Sequence, residues 1–191
     1  MFHNTHNSAK PKSGSVPTKV LLLFSGGIDS TACIHYYTSR GFYLMALFID
    51  YGQPDFEEEW RAATAVCDHY KIRLRKITLG GKKVASRYVR ARNAALLTIA
   101  LMNFEDDAGI VAIGIHSGTP YVDCSPDFIA TMSGVFSLYE GGRVRIDTPF
   151  LAWSKQEILM YARDNGVPLH LTHTSNPEDI VPTYASAATQ R

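Results

Sequence analysis

The sequence predicts an α/β fold, a doubly wound parallel five-stranded sheet with helices on both faces, on three observations. Apolar runs and helix-like segments alternate from Lys19 onward. The runs at 20–24, 44–49 and 110–113 are continuous in hydrophobicity rather than alternating, which suits strands buried on both faces. A glycine pair, Gly26-Gly27, joins the first run to the first helix, at the carboxyl end of a strand where such sheets bind ligands.

In chain order, strands are expected near 19–24, 43–49, 73–79, 109–115 and 144–148, and helices near 30–40, 56–70, 91–104, 127–139 and 154–165. The punctuation agrees. Gly41 and Gly166 are helix stops, with Pro168 beyond the second. Ser125-Pro126 supplies an N-cap and a first-turn proline, and Ser154 with Glu157 forms a capping box. Residues 1–18 are polar and are expected to be a disordered tail, in which His3 and His6 are loose side chains rather than ligands. Residues 19–191 then form one domain.

Hydrophobic residues make up 46% of the 191 and charged residues 19%, as in an ordinary globular chain. A formal net charge of +1 argues against a nucleic-acid surface. No apolar run spans a bilayer and no signal-peptide core is visible, so a cytoplasmic protein without a membrane partner is expected. Cys33, Cys67 and Cys124 are widely spaced, which excludes a disulfide framework and a cysteine zinc site. Cys33 and Cys67 read as core residues, and Cys124 is left open.

The chemistry concentrates in Ser25-Gly26-Gly27-Ile28-Asp29-Ser30-Thr31, directly after Phe24. Glycines let an anion approach the backbone. The helix that follows turns its N–H groups and dipole toward the same point. Ser25, Ser30 and Thr31 add hydroxyls, completing a pyrophosphate cradle. No Gly-Lys-Ser/Thr follows, so this is not a Walker loop.

This loop resembles the PP-loop of ATP pyrophosphatases, which cleave ATP to AMP and pyrophosphate. Further segments narrow the resemblance: Asp50-Tyr51-Gly52-Gln53, Arg92-Asn93, Ile113-Gly114-Ile115, the run from Tyr121 through Asp123 and Cys124 to Phe128, and Thr148-Pro149-Phe150 through Lys155 and Glu157. In this order they are similar to QueC, the 7-cyano-7-deazaguanine synthases of the queuosine pathway, over about residues 19–172. The resemblance implies an adenine nucleotide alpha-hydrolase-like fold, ATP and Mg²⁺ as cofactors, and a homodimer. It implies adenylation of 7-carboxy-7-deazaguanine, with release of AMP and pyrophosphate, then ammonia attack leading to the nitrile preQ0. Phe24, Ser25, Gly26, Gly27, Asp29, Ser30 and Thr31 then hold ATP, with Asp50, Tyr51, Gly52 and Gln53 lining the nucleoside pocket; Asp29 either orients the loop, helps to hold Mg²⁺, or caps the helix that follows. Arg92 suits a phosphate or carboxylate. Asn93, Gly114, Asp123 and Phe128 face the substrate, although Phe128 is equally a core residue. Lys155 either binds phosphate or is an exposed first-turn lysine.

Two departures from the family pattern stand out. The family's C-terminal cysteine zinc site has no counterpart: Ser175 stands where a cysteine is expected, and no cysteine follows, so zinc is not expected. His170 and His173 alone make a weak substitute. The loop from His116 to Ser125 is shorter than the family's and lacks its first Asp and its Arg. Such a chain either makes the nitrile, passes the activated carboxylate to another amine, as QueC-like proteins of antiviral defence do with a protein acceptor, or binds nucleotide without turnover. Tyr36, Tyr37 and Tyr139 are either interface or core residues.

Overall fold

The computed structural model describes residues 18–81, 84 and 88–174. The expected N-terminal tail, Thr18 apart, lies outside the described residues, as does Ser175 with the chain beyond it.

Among the described residues, strands and helices alternate as β1 (Lys19–Leu23), α1 (Ile28–Thr38), β2 (Tyr43–Asp50), α2 (Phe56–Tyr70), β3 (Arg73–Thr78), α3 (Arg92–Met102), β4 (Gly109–Ile113), α4 (Pro126–Glu140), β5 (Val144–Asp147) and α5 (Lys155–Asp164). The five strands form one sheet in the order β3-β2-β1-β4-β5. Every neighbouring pair is parallel, with Leu22 in register with Ala46 on one side and Ala112 on the other. Parallel pairs need crossovers, which the helices supply.

Successive strand residues point to opposite faces. Val20, Leu22, Ala46, Phe48 and Ala112 pack with Cys33, Ile34 and Tyr37 of α1, Ala63 and Val66 of α2 and Ile158 of α5. Leu21, Leu23, Leu47, Ile49 and Val111 pack with Leu97 of α3 and Phe136 of α4 on the other face. A strand with apolar residues at every position is buried on both sides, which explains the continuous runs. Edge strand β3 carries Arg73, Arg75 and Lys76 instead, and Arg75 pairs with Glu105 at 2.7 Å. Charge on an edge discourages pairing with another chain.

Ser125 accepts from Phe128 N–H at the head of α4, and Ser154 and Glu157 form the reciprocal capping box of α5. α1 starts at Ile28, two residues earlier than expected. The Gly27 carbonyl accepts from the Thr31 N–H at 2.9 Å and from the hydroxyls of Ser30 and Thr31, which draws the first turn back onto it. β4 ends at Ile113 rather than 115 because Gly114 passes across the head of α1. A Cβ there would lie 2.9 Å from Ser30 Cα. Cys33, Cys67 and Cys124 are all buried. Of the three tyrosines with an open role, Tyr37 is core and donates to Asp147 Oδ2 at 2.8 Å. Tyr36 packs against that core, and Tyr139 is exposed.

Candidate active site

Strand order reverses between β1 and β4, and the loops leaving β1, β2 and β4 converge there with the start of α3. They enclose two adjoining cavities. The first, about 170 Å³, is walled by apolar side chains (Phe24, Phe48, Ile49, Leu96 and Ile113 among them) and edged by Tyr51, Gln53, Arg92 and Asn93. The second, about 220 Å³, is polar, with Gly27, Asp29, Lys155, His173 and Thr174 in its wall. Ser25, Ser30, Glu59 and Gly114 belong to both and mark the junction.

The two glycines of the loop do different things. Gly26 has φ +76, and a Cβ on it would lie 2.6 Å from Ala63 N and 2.8 Å from Glu59 O. It therefore lets the loop press against α2. Gly27 is the N-cap of α1, with φ −77, and its N–H points toward Ser25 Oγ at 3.4 Å. Ser25 Oγ lies 3.5 Å from Ser30 Oγ, so both hydroxyls look into the junction. Thr31 is fully buried and its hydroxyl is committed to Gly27 O, so its part is to shape the loop.

Asp29 does not cap α1, since Gly27 fills that position. Its Oδ1 accepts from Lys155 Nζ at 2.7 Å, and Oδ2 lies 3.8 Å from His116 Nε2. The head of α5, fixed by its capping box, thereby delivers a cation to the polar cavity. Lys155 is thus no solvated first-turn lysine.

The loop after β2 divides its labour. The Asp50 carboxylate accepts from Gly52 N–H at 3.1 Å and lies 3.5 Å from Lys76 Nζ, so it braces the turn from outside the two cavities. Gly52 adopts φ +79 in that turn and lines a neighbouring cavity with Leu79, Val84 and Val89. Gln53 is buried, accepts from Tyr51 N–H at 2.9 Å and donates to Glu59 Oε2 at 3.0 Å. Burial pushes the Tyr51 hydroxyl above its usual range, with the hydrogen-bonded Arg92 guanidinium opposing.

At α3, Arg92 Nε donates to Asn93 Oδ1 at 3.3 Å. Asn93 is buried. Its N–H donates to Asp123 Oδ2 and its Nδ2 to Asp123 O, at 3.3 and 3.0 Å. Asp123 therefore caps α3 from a distant loop, where its charge meets the helix dipole. Phe128 packs into the core beneath. Neither lines the two cavities. Glu59 and His173 do, and sequence reasoning gave neither a role there. Glu59 had a signal: with Ala62, Ala63 and Val66 it lies at i, i+3, i+4 and i+7, on the buried stripe of α2. His173 is brought in by a long-range bridge to Gly27, with its N–H on Gly26 O at 3.0 Å. Among the described residues, no three His, Cys, Asp or Glu side chains cluster so as to hold a metal ion.

A parallel sheet in this order, with a Ser-Gly-Gly-x-Asp-Ser loop at its switch point, defines the class: an adenine nucleotide alpha-hydrolase fold of the PP-loop type. Solved structures share it. A 4-thiouridine synthetase–RNA complex with bound ATP superposes with a TM-score of 0.55 at 20% identity, over 87% of this chain and 43% of that one. The NMN synthetase of Francisella tularensis gives 0.51 at 18%, over 85% and 67%. Within that class, the family model described as "Queuosine biosynthesis protein QueC" matches residues 19–83 and 76–181. The 7-cyano-7-deazaguanine synthase of Acetivibrio thermocellus is 32% identical over 82% of each chain. The corresponding protein of Coxiella burnetii is 30% identical over 91% of each, and synthase 2 of Desulfitobacterium hafniense 35% over 81% and 78%. The chain belongs to the QueC family.

Proposed function

We propose that this protein is a carbon–nitrogen ligase that adenylates 7-carboxy-7-deazaguanine with ATP, admits ammonia to give the amide, and activates the amide oxygen with a second ATP so that loss of AMP gives 7-cyano-7-deazaguanine. The observation that carries this is the paired cavity: an apolar slot opening, across Ser25 and Ser30, into a polar chamber served by Lys155. Adenine and ribose suit the slot, and the β,γ-phosphates suit the chamber. The α-phosphate then falls at the junction. A carboxylate is a poor electrophile until its oxygen is bound to that phosphorus, after which AMP leaves readily. Arg92, at the first position of α3, holds charge where the developing negative oxygens come. Mg²⁺ carried by the phosphates needs only one or two protein carboxylates. Asp29 would hold it, with the ion neutralising the triphosphate.

A second reading, transfer of the activated acyl group to another amine such as one on a partner protein, draws support from the substrate loop. There Asp123, the carboxylate of that loop, is occupied by α3 and does not line either cavity. The test is mass spectrometry with ATP, Mg²⁺ and 7-carboxy-7-deazaguanine, with and without ammonium, and with Ser30→Ala as control. Ammonium-dependent nitrile with AMP and pyrophosphate is expected. AMP and pyrophosphate without nitrile would favour the second reading, and neither product from folded protein would overturn both.

A further inference from the structure

Glu59 is a carboxylate at the junction of the two cavities, where phosphates are expected and an anion has no evident use. It projects from the first turn of α2 and is half-buried. Its Oε2 accepts from Gln53 Nε2 at 3.0 Å, and Gln53 is itself buried and anchored to Tyr51 N–H, so the carboxylate is held in one orientation. The groups around it are Asp55 at the head of α2, Tyr51 on the β2 loop, Arg92 on α3 and His173 beyond α5. Burial pushes the Glu59 carboxyl above the usual carboxylate range. The Gln53 bond, His173 and Arg92 oppose this, and Asp55 reinforces it.

A fixed carboxylate beside phosphates repels them unless it meets a cation or takes up a proton. The second half of the proposed reaction supplies both. Ammonia in neutral water is mostly ammonium, which has no lone pair for attack. We propose that Glu59 binds the incoming ammonium at the cavity junction and acts as the catalytic base that generates the nucleophile. The inference rests on the adenylation reading above. Ammonium gives one proton to Glu59 and becomes ammonia. Its lone pair forms the C–N bond at the acyl carbon, and the C–O bond to the AMP phosphate breaks with its electron pair leaving on AMP. The second N–H proton passes to the departing phosphate or to water. Activation itself consumes no ammonium, so Glu59 is needed after pyrophosphate has formed and not before.

The test separates the two halves with wild type, Glu59→Gln and Glu59→Asp, each with its melting temperature measured. Carboxylate-dependent ATP–pyrophosphate exchange without ammonium reports activation, and amide plus nitrile formation reports the amine step. Glu59→Gln is expected to lose about 10²-fold or more in the amine step, at least tenfold more than it loses in exchange. Wild type should level off above the Glu59 titration, whereas Glu59→Gln, left to draw free ammonia from solution, should lose that plateau and rise about tenfold per pH unit across the neutral range. Glu59→Asp should keep the plateau with a weaker grip on ammonium, seen as a higher KM. Equal losses in both steps, or a Glu59→Gln profile with the same plateau as wild type, would overturn the role of Glu59 while leaving activation intact. Wild type without exchange or AMP formation would overturn the activation reading and this one with it.

Discussion

Replacing Gly26 with alanine tests the claim that the two loop glycines are not equivalent. At Gly26 the backbone is left-handed, φ +76, which costs an alanine roughly 1 kcal/mol. The added Cβ would also sit 2.6 Å from Ala63 N and 2.8 Å from Glu59 O. Those are backbone atoms of α2 and cannot rotate away, so the loop or the helix must shift, at about 1–3 kcal/mol. The sum is about 2–4 kcal/mol. For a domain of this size that lowers the melting temperature by roughly 4–16 °C. At Gly27 the backbone is extended, φ −77, and the nearest contact of a Cβ is Ser25 Oγ at 3.3 Å. Gly27→Ala should stay within about 1 kcal/mol of wild type, its lost N-cap preference offset by a stiffer unfolded chain. Differential scanning calorimetry on both variants decides. Equal melting temperatures for the two, or a Gly26→Ala variant as stable as wild type, would refute the close-approach argument.

Four further outcomes are expected. Lys155→Met should cut kcat for AMP formation by about 10²-fold, because it removes a cation aimed at developing phosphate charge, while stability changes by no more than about 1 kcal/mol for a partly exposed pair; steady-state kinetics and melting check both. Asp123→Ala should cost about 1 kcal/mol through loss of the remote cap on α3, whereas a change in substrate KM without loss of stability would instead make Asp123 a substrate ligand. Thiol titration of native protein at pH 8 should find none of the three cysteines reactive and all three after unfolding, since all are buried and burial pushes the Cys67 thiol up to about 12. The Glu59 carboxyl binds its proton more tightly in the folded state, so its contribution is favourable below the ordinary carboxylate range and is lost as pH rises through its elevated pKa; Glu59→Gln should therefore melt higher than wild type at pH 7.5 and gain less at pH 4.5, and a lower melting temperature at pH 7.5 would contradict that sign.

Local chemistry made most of the fold legible. Strands buried on both faces leave an unbroken apolar run, and caps such as Ser154 with Glu157 are satisfied within four residues, so neither depends on distant parts of the chain. The β1 loop could be read for the same reason. What could not be read is how side chains at the site divide between holding one another and facing the cavities. Thr31, Asp50 and Asp123 are the residue types a nucleotide site uses, yet their polar groups bond the Gly27 carbonyl, the Gly52 N–H and the Asn93 N–H. Spacing along the chain does not reveal this, because each bond depends on where a loop closes or on a partner 30 positions away.

Glu59 shows the converse. Glu57, Glu58 and Glu59 open α2 as a charge run that reads as a solvated face favourable to the helix dipole. Which of the three turns inward is decided by the roll of α2 against the sheet, and that roll is set by contact with the loop: Gly26 has no side chain, so Glu59 O, Ala62 and Ala63 can approach it. The absent side chain at position 26 and the carboxylate at position 59 are therefore one structural fact. A larger residue at 26 would displace α2 and carry Glu59 away from the junction. Gly26→Ala should accordingly impair the amine-dependent step more than pyrophosphate exchange in whatever fraction of the variant folds. Compensating changes that restore stability without restoring the approach of α2 should leave that imbalance in place.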